Sequence, residues 1–361
     1  MANLQGIVNR FRPNVAESLG FDEVIGQLGG HGLAGVLRNG PGPVVMIRAD
    51  MDALPVKELT GLPYTSTKTQ MDRFGVEYTV MHACGHDVHV ACLMGAAQLL
   101  YAAREAWSGT LVCLLQPGEE DGAGARKMIR SGAALSACDC FDVRLFGKGG
   151  HGSSPRKCIY PVYAACSIVV RLQGIVSREV DPADYAVVTC VSLQTSKAIN
   201  IVPDTVDMKV DVRSYGPAVR KCVVAAVKRV IRGESEASGL LKELQIVQTD
   251  DIPAIINDDR TVEKLERVFR QHFGESAVSE MARDTGSDDF SIFAEAQNIS
   301  CAYWNIGGVD PAVWQEAKRN GTIDGLPGNH SAHFAPAVSP TIRTGIDALA
   351  VASLAYLVSN V

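Results

Sequence analysis

The sequence lacks the features that mark secreted, membrane-spanning and nucleic-acid-binding proteins. Its first residues contain no apolar stretch of signal-peptide length. No segment approaches the roughly 18 uncharged apolar residues that a membrane-spanning helix needs. It has no basic run, and its formal net charge is −6, which argues against a general nucleic-acid binder. Internal repeats and low-complexity segments are also absent.

The ten cysteines do not form a disulfide framework. Most of them lie inside apolar runs, such as 111–115 and 188–191, as reduced core cysteines do. Cys138 and Cys140 form a C-x-C pair, but no second pair completes a zinc knuckle, so we expect a structural role for them. This cysteine usage predicts a cytoplasmic location.

The composition is that of an ordinary α/β enzyme. The chain has 361 residues, of which 47% are hydrophobic and 20% charged, and it contains 34 glycines. At roughly 100–200 residues per domain, this length allows two domains, each with a sizeable core.

The first elements predict strands that deliver carboxylates to one edge of a sheet. Residues 13–28 have the apolar spacing of a helix that ends at a Gly-Gly pair. The apolar runs 32–37 and 44–47 are joined by an Asn-Gly turn, which predicts a hairpin. Asp50 and Asp52 follow the second run, at the end of the strand where ligands bind in open α/β sheets. Carboxylates there are candidates for metal ligands or for partners of a metal-bound imidazole.

Residues 81–89 carry the strongest candidate site. They read Met-His-Ala-Cys-Gly-His-Asp-Val-His, in which Cys84 and His86 are two positions apart. Thiolate and imidazole groups hold divalent transition metals. An Ala- and Leu-rich segment at 88–103 predicts a buried helix, whose dipole favours a thiolate at its N-terminus. The alternative is a capped helix start with a buried cysteine and surface histidines.

A second candidate site follows the continuous apolar run 110–115, which predicts a central strand. The adjacent acids Glu119, Glu120 and Asp121 are costly to hold together unless a cation neutralises them. One glutamate could bind a metal ion while its neighbour acts as a general base on water. The alternative is a solvated acidic turn. The helix predicted from 122 to 130 comes next.

From about residue 141 the pattern changes to an α+β arrangement of roughly 110 residues. Helices on one face of an antiparallel sheet fit the order of the elements: strands at 141–146, 185–192, 205–213 and 244–247, and helices at 161–173 and 217–232. After about residue 253 the α/β pattern returns, with segments at 261–273, 288–293 and 302–306 and a final apolar helix over 340–358.

Five motifs together resemble the metal-dependent amidohydrolases that include hippurate hydrolase, aminoacylase-type enzymes and plant auxin-conjugate hydrolases. The motifs stand in family order at 48–55, 81–87, 116–120, 147–152 and 200–204. The resemblance implies an α/β catalytic domain with a mixed, mostly parallel sheet flanked by helices. An α+β lid domain with an antiparallel sheet interrupts it. By this resemblance the catalytic domain spans 1–139 and 257–361, and the lid, or dimerisation, domain spans 140–256.

The resemblance also implies the metal site. By position, the ligands of a divalent metal, Zn²⁺ or Mn²⁺, are Cys84, His86, Glu120 and His330. Glu119 resembles the base that activates water and then protonates the departing amine. Relatives hold two ions per subunit. His82 and His89 are then left with supporting or structural roles.

Three residues of the implied lid resemble groups that contact the substrate. His151 resembles a catalytic histidine that stabilises the tetrahedral oxyanion, and Asn200 and Arg213 resemble residues that hold the polar groups of the substrate. Relatives cleave N-acyl amino acids and often form homodimers through the lid. The resemblance therefore implies a small amide substrate and a homodimer, with no nucleic-acid or membrane partner.

The chain departs from the family pattern at one metal ligand. The family carries a further histidine ligand between the Glu-Glu motif and the first strand of the lid, and roughly two to three dozen residues are absent here. None of the eight histidines lies between 90 and 150. This gap predicts that one of the two ions binds weakly or is lost. It leaves open a non-catalytic or metal-impaired relative. A further alternative, an exopeptidase acting on dipeptides, shares the site and differs only in the lid pocket.

Overall fold

The structure, a computed structural model, describes residues 19–72, 75–120, 125, 128, 137–195, 199–240, 244–280 and 288–358. The strands are β1 (Glu23–Leu28), β2 (Gly32–Asn39), β3 (Val44–Asp50), β4 (Thr69–Met71), β5 (Glu77–Thr79), β6 (Gly109–Gln116), β7 (Ala137–Phe146), β8 (Gly150–His151), β9 (Ala186–Gln194), β10 (Ile201–Val202), β11 (Thr205–Ser214) and β12 (Gln245–Pro253). The α-helices are α1 (His86–Ala102), α2 (Pro161–Arg178), α3 (Pro217–Ala237), α4 (Asp259–Phe273), α5 (Ser291–Gln297), α6 (Pro311–Asn320) and α7 (Val338–Leu357).

The chain divides into two compact units. Unit 1 consists of Met1–Ala134, Asn257–Ala282 and Phe293–Val361, and unit 2 consists of Leu135–Ile256 and Arg283–Ile292. The domain boundaries taken from the family resemblance stay a prediction.

The main sheet of unit 1 is mixed, as the sequence predicts. Its strand order is β1-β2-β6-β3, in which β3 and β6 run parallel and the other neighbours are antiparallel. Among the described strands the sheet therefore has a single parallel pair, fewer than the family resemblance implies. Helix α1 packs against this sheet and against α7. Leu93 and Leu100 of α1 and Leu111 of β6 are fully buried in the resulting core. The final helix, predicted over 340–358, is confirmed as α7.

The hairpin predicted between the runs 32–37 and 44–47 is wrong. Both runs form strands, β2 and β3, but they do not pair with each other, because β6 lies between them and pairs with both. The physical reason is burial: β6 is apolar throughout, and six of its eight residues are buried, so it belongs in the centre of a sheet.

The helix predicted over 13–28 is wrong for its last part. Residues 23–28 form β1, and the residues up to 18 lie outside the described part of the chain. The burial of β1 alternates along the strand, which is the period of a sheet surface rather than of a helix. Gly29 and Gly30 both have positive φ, and they form the tight turn into β2 instead of ending a helix.

Unit 2 has the predicted antiparallel sheet with helices on one face. Its strand order is β12-β7-β11-β9, and every neighbouring pair is antiparallel. Along β11, Val206, Met208 and Val210 are buried while the residues between them are not. These buried side chains form one core with Ile168 of α2 and Val227 of α3. A second, two-stranded sheet pairs β8 with β10.

All ten cysteines are free thiols, as the sequence predicts. Within the described ranges, no helix combines the length and the apolar character that crossing a bilayer requires. The helix predicted over 122–130 falls almost entirely outside the described residues.

Candidate metal centre

The parallel pair β3 and β6 brings four acidic residues to one edge of the unit 1 sheet. Asp50, the last residue of β3, pairs with Gln116, the last residue of β6. The loops that follow the two strands are held together by the Asp52 carboxylate, which accepts the backbone N–H groups of Glu119 (3.1 Å) and Glu120 (3.0 Å). Asp52 thereby fixes the loop that carries the two glutamates.

His86 is the first residue of α1, and its side chain is buried. It follows Gly85, whose φ of 81° lies in the left-handed region that favours glycine. Nδ1 of His86 lies 3.0 Å from the backbone oxygen of Asp52 and must donate, because a carbonyl oxygen only accepts. Nε2 then faces Glu119 Oε2 and Glu120 Oε1, each at 3.8 Å. This orientation is that of a metal-binding imidazole held by a backbone carbonyl.

Cys84, Glu120 and His330 form a second group, with one possible ligand atom of each within 4.8 Å of the others. Nε2 of His330 lies 3.4 Å from Glu120 Oε2. The backbone N–H of His330 donates to the carbonyl of Ala83 at 2.7 Å, which holds the segment that carries His330 beside Cys84. The side-chain amide of Asn329 donates to Cys84 Sγ at 3.3 Å. The structure thus brings together all four residues that the family resemblance proposes as ligands.

The donor set fits a divalent transition metal. Glu120 belongs to both groups, since it also clusters with His86 and Glu119. Its Oε1 atom is buried and has no hydrogen-bond partner within the described residues, which is costly unless a cation contacts it. Sulfur, imidazole nitrogen and carboxylate oxygen are the ligands of zinc and of similar borderline ions.

Asp50 supports this site. Its carboxylate accepts bonds from His89 Nδ1 at 2.6 Å and from Arg48 Nη1 at 2.7 Å. Burial on its own would raise the pKa of Asp50, but the charge of Arg48 and the bond from His89 outweigh it and hold that pKa well below its usual range. Asp50 Oδ2 lies 3.7 Å from His86 Nε2. His82, on the other side, contacts the backbone oxygen of Asp52 at 3.0 Å.

The surrounding carboxylates change the protonation of the metal-free site. Burial would lower the pKa of His86, but hydrogen bonds with Asp52 and Cys84 and the charges of Asp50 and Asp52 raise it to about 12. Burial also raises the pKa of the Cys84 thiol. His86 is therefore protonated at neutral pH when no metal is bound, and Cys84 is a thiol. Both must lose a proton before they can bind an ion.

We expect the affinity of the metal-free protein for Zn²⁺ to rise with pH. Because the pKa of His86 is raised, coordination displaces a proton throughout the neutral range, and affinity gains up to about tenfold per pH unit for each proton released. Titration calorimetry in buffers of different ionisation enthalpy measures that proton count directly. An affinity that stays constant between about pH 6 and about pH 8 would contradict this prediction.

The proposed substrate-contacting residues lie in unit 2. His151 is exposed in β8, pairs with Ile201 of β10, and has its Nδ1 within 2.8 Å of Ser153 Oγ. Asn200 directly precedes β10, and its backbone oxygen accepts the N–H of Gly152. The β8–β10 pair therefore places His151 and Asn200 close together. Arg213 lies on the other sheet, in β11.

Asn329 is a contact of the centre that sequence reasoning missed. Its position next to His330 was visible in the sequence, but an asparagine beside a candidate ligand carries no signal by itself. Only the fold shows that its amide reaches the Cys84 sulfur.

Comparison with known proteins decides the family. A profile described as peptidase family M20/M25/M40 matches residues 46–320. The chain belongs to this family. The hippurate hydrolase of Campylobacter jejuni is 33% identical over an alignment of 351 positions, and the alignment covers 83% of this chain and 88% of that protein. An N-acetyl-L-cysteine deacetylase of Bacillus subtilis is 32% identical over 294 residues, covering 74% of this chain and 68% of that protein.

The fold agrees with this assignment. A crystal structure described as a dinuclear metal-binding peptidase of the M20 family, from Bacillus subtilis, superposes with a TM-score of 0.68 at 22% identity. It covers 97% of this chain and 91% of that one. The resemblance stated from the sequence motifs is confirmed. The M20 protein is a metal-dependent amidohydrolase, and its cofactor is a divalent metal.

Proposed function

We propose that this M20 protein hydrolyses the amide bond of N-acyl amino acids or of related conjugates. One observation carries the proposal: Glu119 lies beside two of the candidate ligands, His86 and Glu120, with its Oε2 3.8 Å from Nε2 of the buried His86. The names of the related hydrolases, which refer to hippurate and to N-acetylcysteine, support this substrate class.

Glu119 is the proposed general base. When bound, a divalent ion polarises a carbonyl oxygen and lowers the pKa of water. Glu119 takes a proton from the attacking water, whose oxygen forms a bond to the carbonyl carbon. It returns a proton to the nitrogen as the C–N bond breaks, so the products are a carboxylic acid and an amine. Asp52 holds Glu119 for this role through its backbone N–H. Zn²⁺ and Mn²⁺ are the proposed ions.

The proposed roles in unit 2 concern the substrate. His151 stabilises the negative charge that develops on the carbonyl oxygen, which its imidazole suits as a hydrogen-bond donor. Asn200 holds polar groups of the substrate, and Arg213 has the planar guanidinium that recognises a carboxylate. A homodimer formed through unit 2 remains part of the proposal, and light scattering of the purified protein tests it.

Two other functions remain candidates. The first is a metal-impaired or non-catalytic relative, because no histidine lies between 90 and 150 to replace the missing family ligand. The missing segment would fall between 130 and 140, a stretch that lies mostly outside the described residues. The second is an exopeptidase, since relatives include proteins named carboxypeptidases.

A substrate panel tests the proposal. Purified protein is supplied with Zn²⁺ or Mn²⁺, its metal content is measured, and release of free amino acid is followed from N-acetyl and N-benzoyl amino acids and from dipeptides. We expect hydrolysis of the acyl amino acids in excess of the dipeptides. Faster release from dipeptides would favour the exopeptidase. Metal-loaded protein with no turnover on any substrate would favour the non-catalytic relative.

A further inference from the structure

Two thiols and a carboxylate lie together on the sheet of unit 2. Cys138 and Cys140 occupy alternate positions of β7, so their side chains lie on the same face of that strand. Asp211 of β11 is paired directly with Cys140. The two sulfur atoms are 3.5 Å apart, and Asp211 Oδ1 lies 3.3 Å from Cys138 Sγ and 3.5 Å from Cys140 Sγ.

This cluster lies on the face of the sheet away from α2 and α3. The residue between the cysteines, Asp139, points to the other face, where the guanidinium of Arg220 in α3 holds its carboxylate. On the face of the cysteines, Cys138 is buried, while Cys140 and Asp211 are partly exposed. An ion can therefore reach the cluster from solvent and still be shielded on one side.

The spacing of the three atoms is that of one face of a tetrahedral zinc site. With Zn–S bonds of about 2.3 Å and Zn–O bonds of about 2.1 Å, tetrahedral angles place two sulfurs about 3.8 Å apart and a sulfur and an oxygen about 3.6 Å apart. Each of the three distances in the cluster lies within about 0.3 Å of these values. Three ligand atoms from two neighbouring strands thus converge without any rearrangement of the backbone.

The charges of the ligands, Arg213 and a divalent ion also balance. Two thiolates and the Asp211 carboxylate carry three negative charges. Arg213, whose Nε lies 3.0 Å from Asp211 Oδ2, contributes one positive charge, and a divalent ion supplies the other two. The contact with Cys140 and burial raise the pKa of the Cys138 thiol. Ion binding therefore releases protons, as it does for other thiolate sites.

The two thiols could instead form a disulfide, but the strand geometry disfavours that bond. Residues two apart on a strand have Cα atoms about 6.6 Å apart, near the upper limit of the range found in disulfides. Chelation, in contrast, needs both sulfurs on one face at the separation that the structure shows.

We propose that Cys138, Cys140 and Asp211 bind a divalent transition metal ion, Zn²⁺ in particular, that ties β7 to β11. Asp211 comes from a distant part of the chain, which is why the C-x-C pair shows no complete site in the sequence. Water supplies the fourth ligand at the exposed side. The site does not rest on the proposed catalytic function, but the two share Arg213, which contacts Asp211 here and is proposed above to hold the substrate.

Cobalt binding to the full-length reduced protein tests the proposal. Co²⁺ bound to thiolates gives a charge-transfer absorption that grows with the number of sulfur ligands. With Cys84 as the sulfur ligand of the unit 1 centre, C138S/C140S should lower this absorption to roughly one third, and the zinc content should fall by about one ion per chain. D211N should lower the metal affinity of this site at least about tenfold, because loss of a residue that only supports a ligand already costs about 10- to 100-fold.

The matched control is C166S/C222S, which removes two exposed thiols of unit 2 that belong to no cluster of ligands among the described residues. It should leave absorption and zinc content unchanged. Circular dichroism verifies folding, and the single variant C140S, at a partly exposed position, gives a second test if the double variant unfolds. C84S separates the two centres, because it affects only the unit 1 site. Unchanged absorption in folded C138S/C140S, or a Cys138–Cys140 disulfide in protein purified under reducing conditions, would overturn the proposal.

Discussion

Turnover of an N-acyl amino acid is expected to fall by about 10²- to 10⁴-fold when Glu119 is replaced by glutamine, the range that general acid–base catalysis contributes. Glutamine has nearly the same shape but cannot accept a proton from water at neutral pH. The backbone bond from residue 119 to Asp52 does not involve the side chain and is retained. The metal content should therefore stay unchanged while kcat falls.

The comparison variant for this experiment is Glu105→Gln, which makes the same chemical change at an exposed position of unit 1. It should behave as the unmodified protein in both assays. If Glu119→Gln instead loses metal while Glu105→Gln does not, Glu119 is a ligand rather than the base. Near-normal turnover in Glu119→Gln would refute the proposed role directly.

The residues of the metal site could be predicted from the sequence more completely than the strand pairing of the sheet that carries them. Cys84, His86, Glu119 and Glu120 stand in short motifs, and motifs that bear chemistry keep their spacing along the chain. Glu119 and Glu120 meet Asp50 and Asp52 because β3 and β6 are parallel neighbours, and the carboxyl ends of parallel strands lie at one edge. Cys84 and His86 depend in addition on the packing of α1 against these two strands. The helix that starts at His86 was also predictable from its Ala- and Leu-rich composition.

Strand pairing was not predictable from local patterns. An Asn-Gly turn between two apolar runs predicts a hairpin, yet β6, some 60 residues later in the chain, pairs with both runs. The burial of β6 outweighs the local turn preference. The same limit applies to Asp211, whose position opposite Cys140 depends on the register of β11 with β7. Both the pairing of β6 and the register of β11 depend on contacts between segments far apart in the chain, and no short stretch of the sequence reveals such contacts.

The second large effect concerns the number of catalytic ions. In C138S/C140S, which removes the proposed unit 2 site, we expect one ion to bind tightly to the unit 1 centre. A second ion should bind at least about 10- to 100-fold more weakly, because loss of a ligand costs no less than loss of a supporting partner. Activity should then be low at one ion per chain and rise as excess Zn²⁺ or Mn²⁺ fills the weaker position. Equilibrium dialysis with metal analysis, run beside the substrate assay, measures both.

Variants of the retained ligands distinguish a site with one tight and one weak ion from a site with two equal ions or with only one. His86 lies beside the shared ligand Glu120, so His86→Ala should lower the affinity even for the tightly bound ion. The control His272→Ala, at an exposed histidine of α4, should leave both metal affinities unchanged. Two ions of equal affinity would mean that another group of this chain replaces the family histidine. One ion at every metal concentration, without turnover, would mean that the shortened segment between Glu120 and β7 has removed catalysis and left a metal-binding protein. Saturation of activity only with the weaker ion would show that the five retained catalytic and ligand residues still form a working centre.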